Sequence, residues 1–421
     1  MVKVYYRLLF VALFLVVFTE AQDSSYTFNT GGYARIIALG DSPYLVDPFN
    51  ITDNPAWANL YQNLLFGDIG STKTPFSNDG TGQFAAVNFR LNDKMTLGGI
   101  LSRNDFNGFA ISTPDPLTKF NNGIVDQINE RVGDPLVELN NNFEIFSSYN
   151  FGRTTVGAGF AFVTSTTESK PATRGRTKGK VSQYGVNIGF VSKIKNNHII
   201  DVSATAIWPS ASSEPPRVQP TEYSQSIYSV KGRFFVVANE NLSFVPVIQL
   251  LTASGEAKIG DGQAVISTDL VKHKIISGGV GANYKYDDFL ITCGVGFRYM
   301  SVEIPAVAGL EPKLTDTYFS LPIWNLGLEW KATDWLIGRL GYTAETGETT
   351  LENTASANSK NETIETEYVP GEVRAGIGFL FGRFSLDATI NTDVIRQGFN
   401  NIGGGFGTFA YVSASFWFGK K

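Results

Sequence analysis

One pattern dominates the sequence: apolar and polar residues alternate, as in the stretch Ile276–Tyr299. The alternation continues in phase on both sides of Asp287-Asp288, so a two-residue turn there would pair Tyr286 with Phe289 and place both apolar rows on one face. The other face carries glycine, threonine, asparagine and arginine. A soluble sandwich would bury the apolar face against a second sheet, whereas a transmembrane barrel turns it to lipid.

The same hairpin unit recurs along the chain. Its tight polar turns are 92–94, 151–153, 195–197, 239–241, 287–288, 331–334 and 381–383, with long loops between them. Short turns at one end and long loops at the other are typical of an outer-membrane barrel. Seven strand pairs, a closing strand at Phe406–Phe418 and a further strand at Leu64–Ile69 give sixteen strands, or fourteen if one hairpin lies outside the wall. We therefore predict an all-β fold, a transmembrane antiparallel up-and-down β-barrel of about 14 to 16 strands.

Composition agrees with one large repetitive unit. Aromatic residues make up 13% of the chain and charged residues only 17%, as a barrel with aromatic girdles requires. Beyond the N-terminus, no run approaches the roughly 18 apolar residues of a spanning helix. The net charge of -5 gives no reason to expect a nucleic-acid partner. The single cysteine, Cys293, excludes an intrachain disulfide framework.

The N-terminus is typical of an export signal. Lys3 and Arg7 precede a short apolar core, Leu8–Phe18, and Thr19-Glu20-Ala21 offers a cleavage site. We therefore expect a signal peptide at 1–21, an N-terminal plug at 22–62 and an outer-membrane β-barrel at 63–421. The final strand ends on alternating aromatic residues, a pattern that the barrel-assembly machinery uses, although Gly419-Lys420-Lys421 follows it here.

The stretch Gly31–Tyr61 lacks the strand alternation but is too apolar for a disordered leader. Asn54-Pro55-Ala56 lies near its end. Proline has no amide donor and the preceding asparagine can cap a turn, so this tripeptide predicts a defined corner. The alternative is that Pro55 simply begins a helix over Ala56–Leu65.

In these residues the stretch resembles the N-terminal plug of the long-chain fatty-acid outer-membrane transporter family. A glycine- and alanine-containing approach, Gly31-Gly32-Tyr33-Ala34-Arg35, leads through an acidic stretch to Asn54-Pro55-Ala56, and 91–99 and 147–163 look like that family's early hairpins. The resemblance implies a plugged barrel for the uptake of hydrophobic small molecules such as long-chain fatty acids. It assigns Gly32, Arg35, Asn54, Pro55 and Ala56 to the plug.

Isolated basic residues fall on the polar face of several predicted strands. An arginine is tolerated in a wet lumen and is costly on a lipid face. We therefore expect Arg90, Arg298, Arg339 and Arg374 to point inward. Each either contacts a carboxylate cargo or pairs with a luminal acid such as Asp201, Glu329 or Asp387.

The loop 114–139 has apolar residues at helical spacing, namely Leu117, Phe120, Ile124 and Ile128. This spacing predicts an amphipathic helix outside the barrel. Such a helix would form a hydrophobic groove that captures cargo, or a lid that packs on neighbouring loops.

Signals for catalysis are poor, because the only histidines, His198 and His273, are isolated and no phosphate-binding loop is present. We expect no enzymatic activity, no catalytic residue, no metal site and no cofactor. The expected location is the bacterial cell outer membrane, with outer-membrane lipid, a hydrophobic cargo and the assembly machinery as partners. The alternative function is a non-transporting barrel that serves as a secretion-linked shuttle or surface scaffold. An open porin is a third possibility.

Overall fold

The computed structural model describes most of the chain beyond residue 30. The described ranges are 31–70, 84–103, 110–120, 122–132, 137–139, 141–170, 176–215, 219–261, 264–306, 313–356, 359–390 and 409–419. The predicted signal peptide, the first residues of the predicted plug and the start of the predicted closing strand lie outside these ranges.

Strands make up almost all of the regular structure. They are β1 Leu64–Gly70, β2 Phe84–Arg90, β3 Met95–Arg103, β4 Asn141–Asn150, β5 Thr154–Ser169, β6 Thr177–Lys193, β7 Ile199–Glu214, β8 Thr221–Val237, β9 Leu242–Asp261, β10 Ala264–Asp269, β11 Lys272–Tyr286, β12 Phe289–Ile304, β13 Lys313–Lys331, β14 Leu336–Ser356, β15 Ser359–Phe381, β16 Phe384–Ile390 and β17 Phe409–Trp417.

All seventeen strands belong to one antiparallel sheet, which closes where β1 pairs with both β17 and β2. β10 and β11 pair with successive parts of β9, so together they occupy a single position in the wall. The barrel therefore has sixteen wall positions, which confirms the predicted architecture and strand number. Closure removes the free strand edges that a bilayer cannot hydrogen-bond.

Each of the seven predicted tight turns joins two consecutive strands at the same end of the barrel. The register of the β11–β12 hairpin pairs Tyr286 with Phe289, as the alternation predicts. Turn chemistry and strand period agree locally, and this agreement made the hairpins readable from sequence.

Large apolar side chains cover the outer surface of the wall. Near the short turns, aromatic residues form one exposed girdle: Tyr149, Phe151, Tyr286, Phe289, Trp330, Trp335, Phe381 and Phe384. Near the opposite edge of the apolar band, Phe162, Tyr184, Trp208 and Tyr228 form a second row across β5–β8. Two aromatic rows around an apolar band are the outer face of a membrane barrel.

Polarity changes sides partway along the long strands, as β7 illustrates. Up to Trp208, the outward residues are apolar (Val202, Ala204, Ala206) and the inward residues are polar (Asp201, Ser203, Thr205). Beyond Trp208, Ser210, Ser212 and Glu214 point outward, while Pro209 and Ala211 point inward, as does Ile207 just before it. The strand period is unbroken, so the swap marks the point where the wall leaves lipid and continues into water.

The helices are short, and all but the one that forms a tight turn lie inside the barrel or its mouth. They are α1 Tyr33–Ala38, α2 Ile124–Val132 and the 3-10 helices Pro48–Thr52, Pro55–Asn59, Pro116–Phe120 and Lys195–Asn197, the last forming one of the tight turns. Within the described ranges, every helix is too short or too polar to span a bilayer. Pro55 begins a single 3-10 turn that stops at Asn59, so the alternative helix over Ala56–Leu65 is not formed.

The apolar band can be tested on one strand. Ile248 points outward at mid-band on β9 and is 53% exposed, while Ser254 lies on the same face above the band. We expect Ile248→Arg to lower the free energy of unfolding from phospholipid vesicles by about 2–4 kcal/mol, because its charge faces hydrocarbon, and Ser254→Arg by about 0–1 kcal/mol. Urea titration measures both. Equal losses would place Ile248 outside the bilayer.

Candidate functional site

The stretch 31–63, here called the luminal segment, lies within the barrel. It is hydrogen-bonded to inward side chains around the circumference: Tyr33 to Asp68 on β1, Ala34 to Ser413 on β17 and Thr389 on β16, Gly40 to Asn325 on β13, Tyr44 to Asn283 on β11, Leu45 to Arg233 on β8 and Tyr61 to Asn88 on β2. In each bond the segment contributes a backbone group. These bonds therefore fix the path of the segment's backbone and do not depend on the identity of its side chains.

Arg35 of α1 is the centre of a buried ion network. Its guanidinium makes two bonds to Glu329 on β13, of 2.8 and 2.9 Å, and one to Asp47 of 3.0 Å. Glu329 also accepts a 2.6 Å bond from Arg339 on β14, which contacts Asp387 on β16 at 2.7 Å. Burial alone would lower the pKa of Arg35, but Glu329 and Asp47 raise it above its usual value, so the arginine stays charged.

Asp201 on β7 organises a second buried cluster. One of its carboxylate oxygens accepts a 2.6 Å bond from the side-chain amide of Asn54; the other accepts bonds from Trp57 at 3.0 Å and Arg233 at 2.7 Å. Lys231, two residues before Arg233 on β8, pairs with Asp53 of the segment. Two wall cations and one wall carboxylate thus hold the end of the segment that contains Asn54.

The Asn54-Pro55-Ala56 corner docks on a pair of glycines. Gly157 on β5 and Gly189 on β6 are cross-strand partners. A Cβ at Gly189 would lie 1.7 Å from Oδ1 of Asn54, and one at Gly157 would lie 2.4 Å from the amide nitrogen of Ala56. Asn54 also caps the 3-10 helix, accepting a 2.9 Å bond from the Ala56 amide. The tripeptide therefore makes the corner predicted from its sequence, on a wall that has no side chains at the point of contact.

Two further glycine pairs accept the segment in the same way. Gly281 and Gly294, partners across β11 and β12, lie against the ring of Tyr44. Gly327 and Gly341, partners across β13 and β14, leave room for Leu39 and Gly40. In sequence these residues are ordinary strand glycines, so this role was missed. The signal that could have shown it is the pairing of two glycines on adjacent strands. That pairing is known only when the strand register is known.

The described residues 110–120, 122–132 and 137–139, here called the crossing segment, lie across the mouth between β4 and β11. Ile111 accepts a 2.9 Å bond from Asn142 on β4, Asp115 donates a 2.8 Å backbone bond to Gln183 on β6, and Phe120 stacks on His273 of β11. Asp115 then caps α2 by accepting bonds from the amides of Ile124 and Val125. The crossing segment thus lies above the luminal segment and covers part of the same lumen.

The prediction of an amphipathic helix outside the barrel is wrong about both the position and the length of the helix. Leu117 and Phe120 belong to a 3-10 turn, and only Ile124 and Ile128 lie on α2. Leu117, Ile124 and Ile128 are almost fully buried against the inner wall, so they present no open groove on the outer surface. The reason is the polarity swap: above the membrane the inner wall is apolar and takes up the apolar face of the segment.

Two apolar clusters join the crossing segment to this inner wall. Ile124 and Ile128 pack with Val137, Leu139, Val181, Ala211, Tyr223, Ala257 and Leu270; Ile111 and Leu117 pack with Ala161, Ile207, Ile227, Leu251 and Ala253. These wall residues come from β5–β9 and the turn between β10 and β11. Burial of apolar surface holds the crossing segment in the mouth.

The four predicted luminal arginines occupy different places. Arg339 is buried in the ion network, and Arg90 pairs with Asp93 of the neighbouring short turn. Arg298 on β12 lies 3.6 Å from Glu345, and its side chain is 45% exposed. Arg374 on β15 bonds Glu372 at 2.7 Å. Arg298 and Arg374 therefore lie outside the buried ion network of Arg35, each beside a glutamate.

Strand pairing is irregular in a row that crosses β12–β15. The register shifts between Gly296 and Arg298, between Ser320 and Ile323, and between Thr343 and Glu345. Pro322 and Pro370 lie in these interruptions, where proline cannot donate a ladder bond. The predicted interruption at Pro246 lies in β9, where the β8–β9 register omits it.

A closed sixteen-position barrel with an outward apolar band and two aromatic girdles is an outer-membrane β-barrel. The chain is such a protein, located in the bacterial outer membrane, and the luminal segment lies inside its barrel. No protein-family model matches the sequence, and no curated protein does.

Solved structures with a similar arrangement are outer-membrane transporters. The Pseudomonas putida toluene transporter TodX is 11% identical over 94% of this chain and 100% of its own, with a TM-score of 0.35. The ferric citrate transporter FecA is 9% identical (85% and 71% covered, TM-score 0.36), and YddB from Escherichia coli is 11% identical (78% and 59%, 0.36). At these identities and scores the likeness carries no functional information.

The ion network predicts a large cost for losing its shared carboxylate. We expect Glu329→Gln to lower the free energy of unfolding by about 3–5 kcal/mol, because Arg35 and Arg339 would be left buried beside a neutral amide. Glu345→Gln is the matched control, since its partner Arg298 is half exposed, and should cost less than about 1 kcal/mol. Urea titration in detergent measures both, and similar costs would contradict a structural role for the network.

The glycine dock predicts that one methyl group displaces the corner. Gly189→Ala would place a Cβ against Asn54, and overpacking of this kind costs about 1–3 kcal/mol. We expect faster hydrogen exchange at residues 54–59 and a higher single-channel conductance. Gly338→Ala is the control, because a Cβ there meets no atom within 4 Å. Unchanged exchange in Gly189→Ala would mean that the corner does not depend on the dock.

Proposed function

We propose that this protein takes up hydrophobic small molecules across the outer membrane, with the luminal segment as its plug. The observation that carries the proposal is the polarity swap. Above the membrane, β5–β9 continue as a wall that is polar outside and largely apolar inside, a poor lining for a pore that conducts polar solutes. An apolar solute gains free energy on entering such a mouth from water.

The crossing segment would act as the entrance. Its buried residues Leu117, Ile124 and Ile128 are held to the wall only by apolar contacts, which a hydrophobic molecule can replace one for one. Cargo would then enter between the segment and the wall. The four residues assigned from sequence to an outer capture helix keep a proposed role in capture, but from inside the mouth.

Below the entrance, Arg298 and Arg374 are the proposed contacts for a polar or carboxylate end of the cargo. Glu345 lies on β14, two strands away from Arg298, and Glu372 lies on β15 two residues before Arg374. The Arg298–Glu345 separation of 3.6 Å is long for an ion pair. A carboxylate cargo can compete for such a guanidinium. Arg90 and Arg339 are poorer candidates, because each is engaged near the short turns or beneath the luminal segment.

Release would require that the luminal segment move or that the wall open at an irregularity. The row through Pro322 and Pro370 is the proposed weak point, since the ladder already lacks pairs there. The buried ion network of Arg35 favours the second route, because moving α1 would expose several unpaired charges to a low-dielectric interior. No catalytic step, cofactor or energy source is part of this proposal.

Mass spectrometry of small molecules that co-purify with the detergent-extracted barrel tests the proposal, with an unrelated barrel purified identically as the control. We expect selective enrichment of a fatty acid or another hydrophobic compound. If the barrel instead retains a stoichiometric protein partner and enriches no hydrophobic molecule, the alternative of a secretion-linked shuttle or scaffold replaces it.

A double variant tests whether Arg298 and Arg374 bind the carboxylate of the cargo. We expect Arg298→Gln with Arg374→Gln to slow the uptake of a radiolabelled long-chain fatty acid by about tenfold, while the uptake of an uncharged hydrocarbon of similar length is unchanged. The reason is the loss of charge-assisted bonds to the carboxylate. Arg90→Gln is the control and should change neither rate. Equal slowing for both cargoes would mean that the arginines shape the lumen without binding carboxylate.

A further inference from the structure

One group of buried polar atoms without a partner lies in the sector of the lumen around β4 and β6. Among the described residues, the unpaired groups on β4 and β6 are both oxygens of Glu144, both amide atoms of Asn187, the side-chain oxygen of Asn142 and the Ser148 hydroxyl. The Ser112 hydroxyl of the crossing segment is unpaired as well. All five side chains are at most 2% exposed. Buried polar groups in native proteins have partners, so a cluster of exceptions indicates a bound species.

The oxygens converge above a glycine. A Cβ at Gly159 on β5 would lie 2.3 Å from Oδ1 of Asn187 and 2.8 Å from Oε1 of Glu144. Two oxygen acceptors therefore lie near the same point, with no side chain between them. Acceptors that approach each other in this way repel unless a donor or a cation lies between them.

The charge of Glu144 also has no counterpart. No lysine or arginine in the described part of the chain forms an ion pair with it. Among the described residues, only the Ser112 hydroxyl lies close enough to influence its carboxyl group, and it does so without a hydrogen bond of normal geometry. A carboxylate that is buried, ionised and unpaired is too costly to persist. Either a proton or a bound cation must neutralise it.

This cluster lies between the two segments in the lumen. Along β6, Gly185 contacts Ile111 of the crossing segment, Asn187 follows two residues later, and Gly189 contacts Asn54 of the luminal segment. Ser112 is fixed over the cluster, because its carbonyl accepts a bond from Ser102 on β3. A species bound here would touch both the wall and the crossing segment.

We propose that Glu144, Asn187 and Ser112, around Gly159, bind a hard metal cation of the Ca²⁺ or Na⁺ class. Carboxylate, amide and hydroxyl oxygens are the ligands that such ions prefer, and water completes their shell. Within the described residues no group of three or more histidine, cysteine or acidic side chains is present, but a hard cation needs only one carboxylate when neutral oxygens join it. The bound ion ties the crossing segment to β4 and β6. The site does not depend on what the barrel carries.

Calorimetric titration of the chelator-treated, detergent-solubilised barrel with CaCl₂, and separately with NaCl, tests the site. We expect one cation per barrel in the wild type. Affinity should fall at least about tenfold in Glu144→Gln, which removes the charge and keeps the shape, and in Gly159→Ala, which fills the site. Glu345→Gln is the control for nonspecific binding to luminal carboxylates and should bind like the wild type. The cation should also slow hydrogen exchange at residues 110–120 in the wild type alone.

Infrared spectroscopy of the same samples tests the alternative that a proton neutralises Glu144. If neither cation binds more tightly to the wild type than to Glu144→Gln, and the wild type shows a protonated carboxyl band that Glu144→Gln lacks, a proton neutralises Glu144 and the proposal fails. Heat-modifiable migration of each variant confirms that its barrel is closed before titration.

Discussion

A bilayer offers no hydrogen-bond partner to the backbone, and every other feature of this molecule follows from that constraint. The wall must close on itself, so β1 pairs with β17 across a sequence separation of almost the whole barrel. Closure makes an interior, and the strand period sends every second side chain into it. Because the outward row must be apolar, the polar residues of the chain collect in the lumen, where they need partners. The luminal segment supplies many of them.

The partnership is made in two ways. Carboxylates and guanidinia share partners near the segment, as Glu329 pairs with both Arg35 and Arg339. Elsewhere the wall removes its own side chains, and paired glycines let the backbone of the segment approach that of the strands. The ion pairs determine which residues of the segment and the wall meet. The glycine pairs determine how closely the two backbones approach each other.

Local patterns in the sequence predicted the wall well. Each hairpin needs only a tight turn and side chains that alternate between apolar and polar. The seven turns of the wall, the register at Asp287-Asp288 and the strand number therefore follow from residues that are neighbours in sequence. The Asn54-Pro55-Ala56 corner was predictable for the same reason. The position of α2 was not, because its apolar face fits both an outer groove and an inner wall. The choice depends on where strands such as β7 leave the membrane, a property of the closed barrel. The dock at Gly157 and Gly189 is likewise invisible until register brings its two halves together.

The bonds of Ala34 have a consequence for how the molecule is assembled. Its amide donates to Ser413, 379 residues away on the last strand. The luminal segment precedes every wall strand in the sequence, yet its contacts with the last strand exist only when that strand is in the wall. Seating the segment and closing the barrel are therefore coupled, and this coupling makes assembly a process of very high contact order. A barrel that closes without the segment would leave Glu329 and Asp201 without their partners from the segment, so a correctly filled interior favours the complete product over an empty one.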